Sequence, residues 1–231
     1  MPDITAMKNW VKDLFFPKFC IACENVEGGW LCEACLATIA APRMFYCLQP
    51  AADGNSYLDN AEAFFSYEEN TVAKLIKLFK YNYLTDLAEI FARIIKLEDF
   101  NFNWRGFTVV PVPLHPRRER ERGFNQAEII ARIFAEKLDL PLNKNLRRGV
   151  YTTQQAKLTK EERQKNLKNA FVWDADNKRV PSRNSGTPLI AGEKVLLVDD
   201  VFTTGATMQE CAKVLKNNGA KEVWGLALAS G

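Results

Sequence analysis

Residues 194–208 read KVLLVDDVFTTGATM. The four consecutive apolar residues 195–198 predict a strand that is buried on both faces, as in a parallel sheet covered by helices. Two adjacent aspartates, Asp199 and Asp200, follow this strand, and the next residues form a turn that opens a helix. Because open α/β sheets bind ligands outside the carboxyl ends of their strands, we expect both aspartates at the mouth of a crevice.

The turn after the aspartates has the composition of a phosphate cradle. The first N–H groups of a helix lack intrahelical partners, and the helix dipole is positive there. A glycine lets the backbone approach an anion closely, and threonines add hydroxyl donors. Next to two carboxylates, this pattern predicts a ligand with a phosphate and vicinal hydroxyls, such as a ribose 5-phosphate. The predicted cradle consists of Thr203, Thr204, Gly205, Ala206 and Thr207.

Helix capping is the alternative interpretation of the same turn. Thr207 and Glu210 have the spacing of a capping box, in which a threonine stabilises the start of a helix. Capping would explain one threonine, but it would leave the two acids and the other turn residues unexplained. The sequence contains neither a G-x-x-x-x-G-K-[ST] loop nor a G-x-G-x-x-G loop, which argues against the common nucleotide-binding folds that use them.

The rest of the chain alternates predicted strands and helices, which favours a mostly parallel sheet. A short amphipathic helix is expected over residues 4–15, and residues 174–193 are expected to form a loop. The predicted strands cover residues 61–67, 107–113, 194–198 and 222–229. The predicted helices cover residues 71–81, 84–97, 125–138 and 206–219.

Composition narrows the class of protein. The chain has 231 residues and a net charge of +3, which is too weak to indicate nucleic-acid binding by itself. No apolar run approaches the roughly 20 residues that cross a bilayer, and the first residues lack the pattern of a secretory signal. We therefore expect a cytoplasmic protein without a membrane span.

Four cysteines form two C-x-x-C pairs separated by eight residues. Two such pairs can surround one Zn²⁺ tetrahedrally, so they predict a structural zinc site. Disulfides, or one redox-active pair, are the alternatives, and the first conflicts with a reducing compartment. Cys47 has no obvious partner, which leaves open a different ligand set. The predicted zinc ligands are Cys20, Cys23, Cys32 and Cys35.

A basic segment, HPRRERERGFNQ (115–126), follows the strand predicted at residues 107–113. The planar guanidinium of arginine suits a pyrophosphate, so we predict a pyrophosphate side of the crevice here. A solvated charge run that pairs with itself is the alternative. His115 could carry a proton or cap the turn. The predicted pyrophosphate contacts are Arg117, Arg118, Arg122 and Asn125.

The stretch VLLVDDVFTTGATM resembles the phosphoribosyl pyrophosphate (PRPP) signature of type I phosphoribosyltransferases. The segments VPVPLHPRRERERGFNQAE (110–128) and QQAKLTKEERQKNLKNAF (154–171), with the cysteine-rich start, resemble the ComF/GntX family linked to natural competence. The resemblance implies a type I phosphoribosyltransferase-like α/β fold: a five-stranded parallel sheet flanked by helices, with a small N-terminal zinc-ribbon-like module.

The resemblance also implies the roles of individual residues. Asp199 and Asp200 would hold the ribose hydroxyls, and residues 203–207 would hold the 5-phosphate. Mg²⁺ would accompany PRPP. Residues 152–166 would form a flexible loop, in which Lys157 and Arg163 could screen the leaving pyrophosphate.

Three functions remain open at this point: a phosphoribosyltransferase, a non-catalytic sensor of PRPP or nucleotides, and a factor that contacts single-stranded DNA or DNA-uptake proteins. The lysines Lys74, Lys77 and Lys80 recur on one helix flank, which is usually a solvated face. The expected organisation is a zinc module (1–48), a linker (49–60) and a phosphoribosyltransferase-like domain (61–231). Because the chain ends two residues after the last predicted strand, we expect any acceptor site to come from residues 1–105.

Overall fold

The computed structural model describes residues 19–26, 29–39, 46–47, 56–81, 87–95, 103–149, 170–174 and 192–231. The strands within these residues are β1 (Tyr46–Cys47), β2 (Asn60–Ser66), β3 (Phe107–Pro111), β4 (Leu146–Arg148), β5 (Phe171–Trp173), β6 (Lys194–Phe202) and β7 (Glu222–Ser230). The helices are α1 (Glu33–Ile39), α2 (Asn70–Tyr81), α3 (Leu87–Ile94), α4 (Pro116–Arg122), α5 (Gln126–Leu138) and α6 (Ala206–Asn217).

The central sheet has five strands in the order β1-β2-β7-β6-β3. Strands β2, β7, β6 and β3 are parallel, whereas the edge strand β1 is antiparallel to β2. A separate antiparallel ribbon joins β4 and β5. The predicted α/β class, with a parallel sheet flanked by helices, is therefore confirmed, and the difference lies in the antiparallel edge strand.

The apolar run of β6 explains why helices cover both faces of the sheet. Its residues 195–198 are completely buried. Leu196 and Val198 pack in one core cluster with α2, α3 and α5. Val195 and Leu197 pack on the opposite face with α6 and the β4–β5 ribbon. The strand therefore separates two apolar layers, as its unbroken hydrophobic pattern predicts.

Strand β6 is longer than the sequence predicts, and the expected end at residue 198 is wrong. Its partner β7 is equally long, and the pairing continues from Asp199 opposite Ala227 to Phe202 opposite Ser230. Because successive side chains of a strand project to opposite faces, the two aspartates do not point the same way.

The cysteine-rich segment packs on helices α2 and α3. Its apolar residues share one core cluster with the buried faces of both helices. Polar contacts add to this packing: Lys74 Nζ donates to the Ile21 carbonyl oxygen at 3.4 Å, and Arg93 Nη2 contacts both carboxylate oxygens of Glu33 at 2.7 and 2.8 Å. The apolar core thus continues across the predicted boundary between the zinc module and the larger domain.

The described end of the predicted linker, residues 56–60, lies along α6 and β7. The Gln209 side chain donates to Ser56 Oγ at 2.7 Å and accepts from the backbone N–H of Tyr57 at 2.9 Å. Asp59 accepts from the backbone N–H of Val223 and pairs with Lys216 at 2.7 Å. The helix predicted at residues 4–15, residues 49–55 of the predicted linker, and residues 175–191 of the predicted loop lie outside the described residues.

Every helix in the described part of the chain is too short or too polar to cross a bilayer.

Candidate functional site

The two aspartates lie near the carboxyl end of β6 and face different surroundings. Asp200 is nearly buried on the face that α2 and α5 cover, and its Oδ2 lies 2.9 Å from Lys80 Nζ. Asp199 projects towards the face that α6 covers, and its Oδ1 accepts the backbone N–H of Asp200 at 2.8 Å. This edge of the sheet therefore has one acid neutralised by a lysine and a second acid beside it.

The surroundings of Asp199 favour its protonated form. Burial and the adjacent charge of Asp200 raise the pKa of Asp199 to about 8, against the opposing effects of a backbone hydrogen bond, Lys80 and Arg148. A carboxyl group whose pKa is perturbed by burial and a specific charge partner is typical of functional sites. The positive charges of Lys80 and Arg148 thus approach the acid pair from α2 and from β4, respectively.

The turn after β6 leaves the start of α6 without a side-chain cap. Gly205 is the N-cap residue, with a φ of 72°, and no side chain accepts a hydrogen bond in the usual capping position. Thr207 is already the second residue of α6, so the capping box that Thr207 and Glu210 could form is not present. Thr203 and Thr204 are exposed, and Thr204 Oγ1 accepts from the backbone N–H of Ala206 at 3.4 Å. The turn therefore presents amides and hydroxyls of the kind that bind anions.

Two features favour glycine at position 205: the nearby ring of Phe202 and the left-handed backbone conformation. An ideal Cβ at this position would lie only 2.5 Å from Cζ of Phe202, whose ring packs beneath the turn against the apolar layer of α6. A left-handed φ also disfavours any residue with a side chain. The ring and the glycine together fix the path of the turn.

The basic segment forms helix α4, whose caps are visible in the sequence. His115 Nδ1 accepts from the backbone N–H of Arg117 at 3.1 Å, and Gly123 ends the helix in a left-handed conformation. Of the two roles considered for His115, the structure shows the capping one. Partial burial, followed by the charges of nearby arginines, lowers its pKa.

The predicted pyrophosphate residues occupy different sides of α4 and the start of α5. Arg118 and Arg122 are half-buried, whereas Arg117 is exposed and pairs with Glu121 at 3.0 Å, as the self-paired alternative predicts. Asn125 caps α5 by accepting from the backbone N–H of Ala127, and it donates to the Val112 carbonyl oxygen at 3.0 Å. The segment is thus attached to the end of β3.

Three residues near the acid pair were missed by the sequence analysis. Lys80 belongs to the lysine repeat on α2 that was interpreted as a solvated face. Gln126 is buried; its Oε1 accepts from Arg122 Nη1 at 3.2 Å, and its Nε2 lies 3.5 Å from the Lys80 carbonyl oxygen. Arg148 lies over the Phe171 ring at 5.3 Å, and burial, then the charge of Arg118, lowers its pKa. No local signal in the sequence distinguishes Gln126 or Arg148.

A cavity of about 190 Å³ adjoins this region between α4 and β4. One wall consists of apolar residues after β3, including Pro113 and Leu114, and the other contains Lys144, Arg147 and Arg148. The segment predicted to be a flexible loop lies between β4 and β5 in the sequence and outside the described residues. Lys157 and Arg163 lie outside the described residues, so their predicted roles stay predictions.

The four predicted zinc ligands meet in space. Their sulfur atoms all lie within 4.8 Å of one another, and Cys23 Sγ is 3.7 Å from Cys32 Sγ. Tetrahedral coordination with Zn–S bonds of about 2.3 Å places sulfurs about 3.8 Å apart, so the spacing fits zinc. All four cysteines are free thiols, which argues against the disulfide alternative. The side chain of Cys47 lies outside the described residues.

The ionisation of these thiols also fits a metal site. Burial tends to raise the pKa of Cys20, but hydrogen bonds from nearby backbone N–H groups outweigh it and lower that pKa to about 6. Hydrogen bonding with Cys32 and Cys23 raises the pKa of Cys35 to about 12. Four crowded thiols cannot all ionise by themselves, whereas a divalent cation stabilises them as thiolates.

Comparison with known proteins supports the resemblance seen in the sequence. Residues 83–229 match the model of the phosphoribosyl transferase domain. The chain is 40% identical over 124 residues to "Competence protein F" of Haemophilus influenzae, an alignment that covers 52% of this chain and 50% of that protein. It is 32% identical over 147 residues to "Competence protein ComFC" of Bacillus subtilis, covering 64% of this chain and 49% of that protein.

A third relative is "DNA utilization protein YhgH" of Escherichia coli, 31% identical over 161 residues, with 66% of this chain and 65% of that protein covered. The chain thus spans about half the length of the first two relatives. The domain match covers more than half of the chain and includes strands β3, β6 and β7 of the sheet, whereas the cysteine cluster lies N-terminal to the matched residues. The chain therefore belongs to the phosphoribosyl transferase domain family, within which its relatives group it with the ComF proteins.

Proposed function

We propose that this protein binds PRPP with Mg²⁺ at the carboxyl edge of its parallel sheet. Asp199 and Asp200 hold the ribose hydroxyls, and residues 203–207 bind the 5-phosphate through backbone amides and threonine hydroxyls. The observation that carries this proposal is the start of α6, which follows an acid pair directly and has no side-chain cap. Uncapped amides at a helix start favour an anion, and carboxylates accept hydrogen bonds from sugar hydroxyls.

The pyrophosphate lies on the α4 side of the proposed site. Arg118 and Arg122 are the best-placed contacts because both are half-buried on one face of α4, four residues apart. Arg117 would have to leave its pair with Glu121, and Asn125 would act while it holds α5 to the end of β3. Lys157 and Arg163 complete this side in the proposal as the flexible-loop residues.

In the catalytic form of the proposal, a nitrogen of a nucleobase or nucleotide attacks the anomeric carbon of the ribose and pyrophosphate leaves. The Asp200 carboxylate, joined by Asp199 when that group is ionised, stabilises the positive charge that grows on the sugar, and the arginines stabilise the negative charge that grows on the leaving group. Mg²⁺, held mainly by phosphate oxygens and water, would supply additional charge neutralisation to the pyrophosphate. The alternative is a sensor that binds the same ligand without turnover.

The cysteine cluster is proposed to hold one structural Zn²⁺, since four thiols leave no coordination position for a substrate. We keep residues 1–48 as the zinc module, residues 49–60 as the linker and residues 61–231 as the transferase-like domain. Clustered free thiols are typical of a reducing compartment, which supports a cytoplasmic protein.

A link to DNA uptake is proposed from the printed names of the relatives, which refer to competence and DNA utilization. On α2, Lys74 and Lys77 are exposed and could contact single-stranded DNA, whereas Lys80 pairs with Asp200. Salt-dependent binding of single-stranded DNA that is lost in Lys74→Gln and Lys77→Gln variants would support this contact. Equal binding by the variants would count against it.

The ligand proposal is tested by calorimetry with Mg²⁺ and PRPP. The Thr204→Val variant removes an exposed hydroxyl from the cradle, and Asp200→Asn removes a charge from the acid pair. Glu136→Gln, an exposed charge removal on α5, is the matched control. Weaker binding by the first two variants and wild-type binding by the control support the site; no binding by the wild-type protein would refute it.

Turnover is tested separately, with a panel of nucleobases and nucleotides as acceptors. Release of pyrophosphate that depends on both PRPP and an acceptor supports the enzyme. Tight binding of PRPP without release from any acceptor supports the sensor.

A further inference from the structure

Lys80 is the one cation that the described structure places in an ion pair with the acid pair. It lies in the last turn of α2, and its Nζ is 2.9 Å from Asp200 Oδ2. Both side chains are largely removed from solvent, with 23% of Lys80 and 13% of Asp200 exposed. At such sites an ion pair is screened weakly, and removal of one partner leaves an uncompensated buried charge.

The backbone of Lys80 is connected to the predicted pyrophosphate side. Gln126 is 3% exposed; it accepts from Arg122 Nη1 at 3.2 Å, and its Nε2 lies 3.5 Å from the Lys80 carbonyl oxygen. A row of polar groups thus runs from Arg122 through Gln126 to the Lys80 backbone, and the Lys80 side chain reaches Asp200 of β6. Lys80, Gln126 and Asp200 are far apart in the chain, so their contacts depend on the assembled fold, whereas Arg122 and Gln126 are only four residues apart.

The geometry determines what Lys80 can do for Asp200. A carboxylate has two oxygens, each able to accept more than one hydrogen bond. The ion pair is made through Oδ2. We therefore assign the other oxygen, Oδ1, to a sugar hydroxyl. The ammonium also balances the negative charge of Asp200 at a partly buried position next to Asp199. Asp200 is therefore held with a fixed orientation and a compensated charge before any ligand binds.

We propose that Lys80 is a positioning residue for the ribose site: it orients Asp200 and balances its charge, so that Asp200 Oδ1 accepts a ribose hydroxyl. This inference rests on the proposed PRPP function and adds to it a residue outside the motifs that the family resemblance supplied. It also separates Lys80 from Lys74 and Lys77, which share its helix but are exposed to solvent.

The test is a double-mutant cycle on Mg²⁺–PRPP affinity, measured by calorimetry on the full chain. Lys80→Met should weaken binding by about 10- to 100-fold, the range for losing a hydrogen bond to a charged group. The Lys80→Met/Asp200→Asn double variant should bind no more weakly than Asp200→Asn alone, because Lys80 acts through Asp200. Lys80→Arg should restore most of the affinity.

Lys77→Met is the matched control, since it removes a lysine from the same helix at an exposed position. Thermal unfolding of every variant identifies any that fail to fold. If Lys80→Met is unfolded, the test rests on Lys80→Arg, which should retain most of the wild-type affinity for Mg²⁺–PRPP. Additive losses in the double variant, or wild-type affinity in Lys80→Met, would overturn the role of Lys80 while leaving the ligand site intact. Absence of binding by the wild-type protein would instead refute the ligand assignment, and this role with it.

Discussion

Replacing Gly205 with alanine tests the turn that begins α6. Gly205 has a φ of 72°, and an added Cβ would lie 2.5 Å from Cζ of Phe202. The left-handed conformation costs a residue with a side chain roughly 1–2 kcal/mol, and overpacking against the ring adds about 1–3 kcal/mol. The free energy of unfolding should therefore fall by about 2–5 kcal/mol. This corresponds to a Tm lower by roughly 10 °C for a chain of this size.

The same substitution at Gly106 is the matched control. Gly106 also has a positive φ, 84°, but an added Cβ would meet no atom within 4 Å. Gly106→Ala should therefore lose only the conformational part, about 1–2 kcal/mol. The difference between the two variants measures the contact with Phe202.

Ligand binding gives a second readout of the same change. If the turn moves to relieve the contact, its backbone amides leave their positions around the 5-phosphate, and the affinity for Mg²⁺–PRPP should fall at least about tenfold, or about 1.4 kcal/mol. Gly106→Ala should bind as the wild type does. The reasoning would be refuted if Gly205→Ala had the same Tm as Gly106→Ala and bound Mg²⁺–PRPP with wild-type affinity.

Further predictions concern the acid pair and the cysteine-rich segment. Between the ordinary pKa of 3.8 and the raised pKa of about 8, folded Asp199 retains a proton that the unfolded chain releases, so its contribution to stability falls as pH rises. Asp199→Asn should therefore raise the Tm at pH 8, by about 2–4 °C for each kcal/mol, and leave it unchanged near pH 4 in thermal unfolding followed by circular dichroism. Elemental analysis should find one zinc per chain. The Cys23→Ser and Cys35→Ser variants should each lose the zinc and have a lower Tm. A full zinc content in either variant would contradict the proposed ligand set. Glu33→Gln should cost no more than about 1 kcal/mol in chemical denaturation, because its pair with Arg93 is exposed, and a larger loss would show that the pair orders the segment.

The parts of the site that lie within one motif could be predicted from the sequence. The buried run of β6, the turn with Gly205 and the paired cysteines each combine residue types whose local chemistry has few explanations. The end of β6 was misplaced because β7, a separate strand, determines how far the pairing extends. A strand boundary set by a partner cannot be read from the strand alone.

The contacts between distant segments could not be predicted. Lys80 and Asp200 are far apart in the chain, and the lysine repeat on α2 has the spacing of a solvated face. Only the packing of α2 on the sheet brings the last of these lysines to the acid pair. Gln126 follows a charged run and gives no sign of burial, yet it connects Arg122 to α2. Such residues depend on which elements become neighbours.

The shared apolar core of the cysteine-rich segment and α2 has a consequence for shortened forms of the protein. Residues such as Ile21, Leu31 and Leu36 belong to the same buried cluster as Leu75 and Phe79 of α2. A protein trimmed to begin at the transferase-like domain would expose the rest of this cluster to water and would tend to self-associate. Growth without added metal should reduce the soluble yield of the whole chain for the same reason. A low yield would then indicate an empty cysteine site rather than a defect in the ligand site.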